Sequence, residues 1–284
     1  MTPLAVFLLT LSRTSAIAVG IAIAVLQPPP PSFLPSFGMA AAGAPRSQQT
    51  VQELSGLLRA SDPAVRARAA CDLREHADRA GAAIEALIAL LPDAAPLDRS
   101  VCGQNWWRWN PENRTTPGEQ AASVLVAIGS RAFDPLLAVL KHPAWFARRN
   151  AAWALGALDD VRAVEALIPV MKDAEPAVRE QTAWALGALD DRAAVPALIT
   201  GLRDADPRVR RQSAWAAGAI DDRRAVDPLL TVLRDADRSV REQAAWALGA
   251  IGDSRAIDGL LPVLKDPEPA VRRQAAWAIG VLAK

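Results

Sequence analysis

The sequence predicts an all-α solenoid of about seven helix pairs, on three observations. Trp153, Trp184, Trp215, Trp246 and Trp277 stand 31 residues apart, and the text around them repeats as AAWALGALDD, TAWALGALDD, SAWAAGAIDD, AAWALGAIGD and AAWAIGVLAK. A fixed period between about 20 and 50 residues marks units that bury their apolar faces only by stacking. Between the tryptophans, apolar residues recur at i, i+3, i+4 and i+7, the spacing of one helix face. Hydrophobic residues make up 51% of the 284 residues, aromatic ones 5%, and tyrosine is absent, so the core must be aliphatic and alanine-rich.

The first 47 residues do not share the period. Residues 1–27 read as a signal peptide or an N-terminal membrane anchor. Leu4–Leu11 is apolar, Ser12 to Ser15 interrupts it around Arg13, and Ala16–Leu26 is an apolar run of 11 residues. That run is too short to span a bilayer and fits the apolar stretch of an export signal. Read as one span, Leu4–Leu26 would place Arg13 near the bilayer centre at a cost of about 2.5–3.5 kcal/mol. Residues 28–47 open on four consecutive prolines and read as a stiff, extended linker. The protein is therefore expected to be exported, periplasmic or extracellular, or anchored facing outward, rather than cytoplasmic.

Residues 48–284 form the solenoid, and each unit reads as two helices. The first carries a stripe such as Val195, Leu198, Ile199 and Leu202, or Val226, Leu229, Leu230 and Leu233. Asp190-Asp191 and Asp221-Asp222 precede these helices as N-cap candidates. A turn such as RDADP follows, with Asp206 as N-cap and Pro207 as the first residue of the second helix. The second helix buries Val178, Thr182, Ala185, Leu186 and Leu189, while Ala183 and Gly187 let a neighbouring helix approach closely. Pro169 and Pro262 fall inside first helices and are expected to kink them. Upstream the pattern is weaker: residues 62–73 align with 175–186, so Cys71 takes the tryptophan position, and residues 118–129 put Ser123 there.

The motif VRxQxAWALGAxxD at this period resembles HEAT repeats of the PBS lyase HEAT-like, or bilin-lyase-like, type. The resemblance implies a right-handed α-solenoid whose second helices line the concave surface. It also implies that Arg179, Arg210, Arg241 and Arg272 bond turn acids such as Asp173, Asp204, Asp235 and Asp266, a structural role. It does not fix function, because one fold hosts unrelated roles.

At 100° per residue, Trp184 lies roughly 145° from the centre of its own helix's core stripe. The five tryptophans are therefore expected to form a ladder along a concave groove, beside Gln181, Gln212, Gln243 and Gln274, with Asn150 at the same position one repeat earlier. The competing reading is packing, in which each ring seals the next repeat. Arg149, Glu180, Arg211, Glu242 and Arg273 alternate in sign beside the ladder and are expected to pair between neighbouring repeats, which sets register rather than gripping phosphate.

One insertion departs from the period, at about 92–117, and holds Trp106, Trp107 and Trp109. Loops of that length inside an array are functional or disordered. It is expected to fold back over the first repeats, as a lid on the groove or as a hydrophobic plug at the array's end. Cys102 would then meet Cys71, a candidate disulfide whose formation depends on their separation.

The chain shows no catalytic constellation. It has two histidines, His76 and His142, no metal-binding arrangement, and none of the phosphate- or nucleophile-bearing motifs. The His-Glu pairs of HEAT-repeat di-iron hydroxylases are absent. Residues 1–42 hold Arg13 and no acid, so of 32 basic and 31 acidic residues the rest carries 31 of each, which argues against a nucleic-acid binder. The reading is a non-catalytic scaffold binding a protein or peptide in the groove, with no cofactor and no catalytic or metal residues. A bilin-lyase-like or other ligand-binding subunit, acting with a partner chain, is the alternative that the resemblance adds. Membrane contact is expected only through the N-terminal segment. The last helix pair resembles an interior one, so exposed Ile257, Leu261, Ile279 or Leu282 would mark self-association or partner docking.

Overall fold

The structure, a computed structural model, describes residues 50–102 and 114–283. The N-terminal segment, the linker and Trp106, Trp107 and Trp109 lie outside the described residues. Among the described residues seven helix pairs follow one another: α1 (Val51–Leu57) with α2 (Pro63–Arg74), α3 (Ile84–Leu90) with α4 (Pro117–Ile128), α5 (Phe133–Val139) with α6 (Trp145–Ala157), and α7 (Val164–Leu167) with α8 (Pro176–Ala188). The last three are α9 (Val195–Gly201) with α10 (Pro207–Ala219), α11 (Val226–Val232) with α12 (Arg238–Ile251), and α13 (Ile257–Leu260) with α14 (Pro269–Leu282).

The core runs along the array at fixed repeat positions. Leu136, Leu167, Leu198, Leu229 and Leu260 from the first helices are fully buried, and so are Ala154, Ala185, Ala216, Ala247 and Ala278 from the second. The expected second-helix stripe of Val178, Thr182, Ala185, Leu186 and Leu189 is buried throughout. Thr182 satisfies its buried hydroxyl by donating to Val178 O one turn back.

Proline and aspartate punctuate each unit. Asp206 accepts from Arg208 N ahead of Pro207, as a capped helix start requires. In the two-aspartate turns the residues divide the work. Asp159, Asp190 and Asp221 take φ of 55°, 50° and 52°, the left-handed conformation that ends the preceding helix. Asp160, Asp191 and Asp222 then cap a short 3-10 turn leading into the next first helix. Of the two aspartates expected as N-cap candidates, only the second is one. Gly252 takes the first role in its repeat with φ 70°, which glycine adopts without steric cost. Pro169 and Pro262 do more than kink: α7 and α13 end ahead of them, and the chain continues as 3-10 turns over Ile168–Lys172 and Leu261–Lys265.

Arginines bracket the repeats. Arg179 donates from Nη1 to Asp173 O and Ala174 O in its own turn, and from Nε and Nη2 to both carboxylate oxygens of Asp204 in the next. Arg148–Asp173, Arg210–Asp235 and Arg241–Asp266 repeat the arrangement, and Arg66–Asp93 begins it. Between the second and third pairs the bracket is replaced. Gly118 stands at the arginine position, His142 at the aspartate position, and Asn150 Nδ2 donates to Leu91 O instead.

Pro117–Val139 is apolar enough by composition to cross a membrane, yet it comprises α4, a 3-10 turn and α5, interrupted at Gly129 with φ 80°, and half of the apolar window is buried in the array.

Candidate functional site

The second helices form the closely spaced row of the array. A Cβ on Gly187 would stand 2.8 Å from Ala216 Cα and 2.7 Å from Ala216 Cβ, so only glycine allows this approach. The same holds for Gly156 against Ala185, Gly218 against Ala247 and Gly249 against Ala278.

Four of the five ladder tryptophans share in that contact. The ring edge of Trp184, at Cζ3, covers Gly156, and Trp215, Trp246 and Trp277 cover Gly187, Gly218 and Gly249 in the same way. These four rings thus seal the joint to the preceding repeat, as the packing alternative expects. The rings are not consumed by this contact: Trp153, Trp184, Trp215 and Trp246 stay half-buried and Trp277 is exposed. Trp153 and Trp184 stack with centroids 6.5 Å apart and planes 16° from parallel. Among the described residues, the indole N–H groups of Trp184, Trp215, Trp246 and Trp277 have no acceptor.

Gln181, Gln212, Gln243 and Gln274 stand one turn before these tryptophans, all half-buried, and no carboxamide among them has a hydrogen-bond partner within the described residues. Asn150 differs. It is 3% exposed, donates to Leu91 O and accepts from Arg149, so it is a joint between repeats rather than a groove contact. Of the alternating charges, Arg211 meets Glu180 at 3.4 Å, whereas Arg149 turns back to Glu119 and sits 4.2 Å over the Phe146 ring. Glu242 and Arg273 have no ionic partner among the described residues, so the expected pairing is realised once in the series.

The base of the insertion is ordered. Leu97–Asp98 (β1) pairs antiparallel with Arg114–Thr115 (β2), Leu97 opposite Thr115, and a 3-10 turn over Arg99–Cys102 packs on α2. Cys71 and Cys102 are joined as a disulfide with Cα atoms 5.8 Å apart, within the usual range for such a bond. The loop is therefore tethered at the first rung position of the tryptophan row. Two-residue strands carry no readable periodicity, so the hairpin leaves no mark in the residue pattern. His142 accepts at Nδ1 from Ala144 N, a turn cap in the place of aspartate. Among the described residues no group of three or more His, Cys, Asp or Glu side chains is placed to hold a metal.

The family model for HEAT repeats matches residues 118–175, 164–242 and 226–283, together more than half of the 284 residues. The chain belongs to the HEAT-repeat family. No curated protein matches it. Similar solved structures include the complex of CpcE and CpcF of phycocyanin lyase from Nostoc sp. PCC7120, at 25% identity over 87% of this chain and 100% of that one, with a TM-score of 0.46. The karyopherin Kap121p bound to the extreme C-terminus of the protein phosphatase Cdc14p matches at 18% identity over 82% of this chain and 29% of that one, with a TM-score of 0.64. A Kap95p structure with RanGDP matches at 16% identity over 83% and 37%, with a TM-score of 0.60. This chain thus spans about a third of the karyopherins' length, and the likeness to them is one of fold.

Proposed function

We propose that the protein is a non-catalytic scaffold that binds a protein or peptide along the second-helix face. The observation that carries the reading is the row of Gln181, Gln212, Gln243 and Gln274. A primary amide offers two donors and an acceptor. Four of them recur at one repeat position beside indole edges, and none is used within the described fold. Packing accounts for the tryptophans by themselves but gives no reason for the glutamines. The close spacing of the second helices supports placing this face on the concave side of the stack. Partly buried tryptophans surrounded by polar groups are the usual energetic anchors of protein interfaces.

The same reading places the protein outside the cytoplasm, anchored or free, because a disulfide persists in an oxidising compartment and the N-terminal apolar run suits export. Capture of partners by the full chain tests the binding face. The Gln181, Gln212 and Gln243→Ala triple variant should keep its melting temperature and lose the proteins that wild type recovers. Recovery of the same proteins by this variant overturns the proposal. Visible absorbance from a bilin in the purified protein would favour the lyase-like alternative instead.

A further inference from the structure

From the third helix pair to the seventh, every joint between successive pairs is built alike. Each carries an arginine–aspartate bracket and a glycine that admits the alanine and tryptophan of the next second helix. The joint between the first and second pairs keeps its bracket, Arg66–Asp93, and the Cys71–Cys102 bond secures it further. Among the described residues, the joint between the second and third pairs has none of these. Gly118 and His142 stand in the bracket positions, and Val126 stands where the glycine belongs. In the later joints a Cβ at that position would meet its neighbour at 2.6 or 2.7 Å, so the valine holds α6 off from α4. Accordingly, α4 and α6 pack less extensively than any other two successive second helices.

Little else crosses this joint on the second-helix side. Asn150 donates one neutral hydrogen bond to Leu91 O, where a bracket such as Arg179–Asp204 has two charge-assisted ones. Arg149 pairs with Glu119, but both side chains are partly exposed, and such pairs contribute little. The first-helix side is held better: α3 packs on α5, and Arg131 donates to Ala77 O and Asp78 O in the preceding turn. The connection between the pairs runs through Gly129, at φ 80° and ψ −146°, a region open essentially to glycine alone. No atom lies within 4 Å of where its Cβ would be.

We infer that this joint is a hinge. Residues 51–128 move as one body against residues 133–283, pivoting on the first-helix side near Gly129 and changing the gap between α4 and α6. Hinges concentrate their motion in a few residues while the bodies on either side stay packed. The bodies here meet that condition, because a bracket, with a glycine contact or the disulfide, secures every other joint. The row from Trp153 to Trp277 lies wholly in the second body, so the motion changes how the first two pairs face a partner on that row. That consequence rests on the proposed binding face; the hinge itself does not.

Paired spin labels on the full chain in non-ionic detergent, with Cys71–Cys102 left oxidised, test the hinge by double electron–electron resonance. Ala127, Ala157, Ala188 and Ala219 occupy one repeat position near the ends of second helices. Labels at Ala127→Cys with Ala188→Cys span the hinge and one bracketed joint; labels at Ala157→Cys with Ala219→Cys span two bracketed joints. The first pair should give a distance distribution at least about twice as wide as the second. Asn150→Ala, which removes the bond to Leu91 O, should widen the first distribution further and leave the second unchanged. Equal widths in the two pairs overturn the hinge, as does an Asn150→Ala variant that leaves the first width unchanged or widens both alike. The glutamine triple variant should show the wild-type widths, which separates this result from the fate of the binding face.

Discussion

Glycine and arginine carry the most information per residue. Gly187→Ala ought to be stabilising on helix propensity, but its Cβ would meet the Ala216 backbone and the Trp215 ring at 2.8 Å. It is predicted to cost about 1–3 kcal/mol, read by thermal unfolding; an unchanged melting temperature would show that the joint yields. Arg210→Ala removes four hydrogen bonds in two turns, to Asp204 O, Ala205 O and both oxygens of the Asp235 carboxylate. With both ends partly exposed, a loss of about 2 kcal/mol is expected in denaturant melts. The arginine's role could be taken from the family resemblance. Its forward reach to the next repeat's aspartate could not, because one sequence position gives no distance. Asn150 was misplaced for a related reason: periodicity put it with the glutamines, and only the loss of the arginine at Gly118 explains why it is buried.

At the level of elements, the helix pairs were legible because amphipathic spacing, prolines at helix starts and aspartates at turns all agreed. The division of labour within Asp190-Asp191 was not, since a left-handed residue and a cap draw on the same residue types. The insertion was legible as an interruption but not as a hairpin. Its tether makes a measurable difference: closing a loop of 31 residues is worth about 3–4 kcal/mol in the chain-entropy account. Cys102→Ser, or reduction of wild type, should lower stability by up to that amount, with the change appearing first as hydrogen exchange in α2 and the β1–β2 pair. Equal exchange before and after reduction would mean that the first repeat holds the loop without the disulfide.

Across the whole molecule, the acid-stability profile follows from the turn carboxylates. Hydrogen bonds from Arg208, Arg224 and Arg255 hold Asp206, Asp222 and Asp253 down to about 2 from an ordinary 3.8. Burial works against Asp173, Asp204 and Asp235, but the arginine brackets prevail and lower them as well. A carboxylate with a depressed folded-state pKa stabilises the fold above its unfolded pKa, and that contribution is lost as pH falls. Melting temperature should therefore be flat down to about pH 4 and fall steeply toward pH 2. Asp190 and Asp221, raised by burial, act in the opposite sense but are outnumbered. A profile that rises on acidification would contradict the bracket account. The array itself could be read from the period alone, whereas the function of its second-helix row could not, because tryptophans that pack against the preceding repeat stay partly exposed as well. The most direct test of the central claim is hydrogen exchange on the chain, free and bound to the partner it recovers. New protection should concentrate in α8, α10 and α12, around Gln181, Gln212 and Gln243. Protection confined to the first helices, with the second-helix row unchanged, would contradict it.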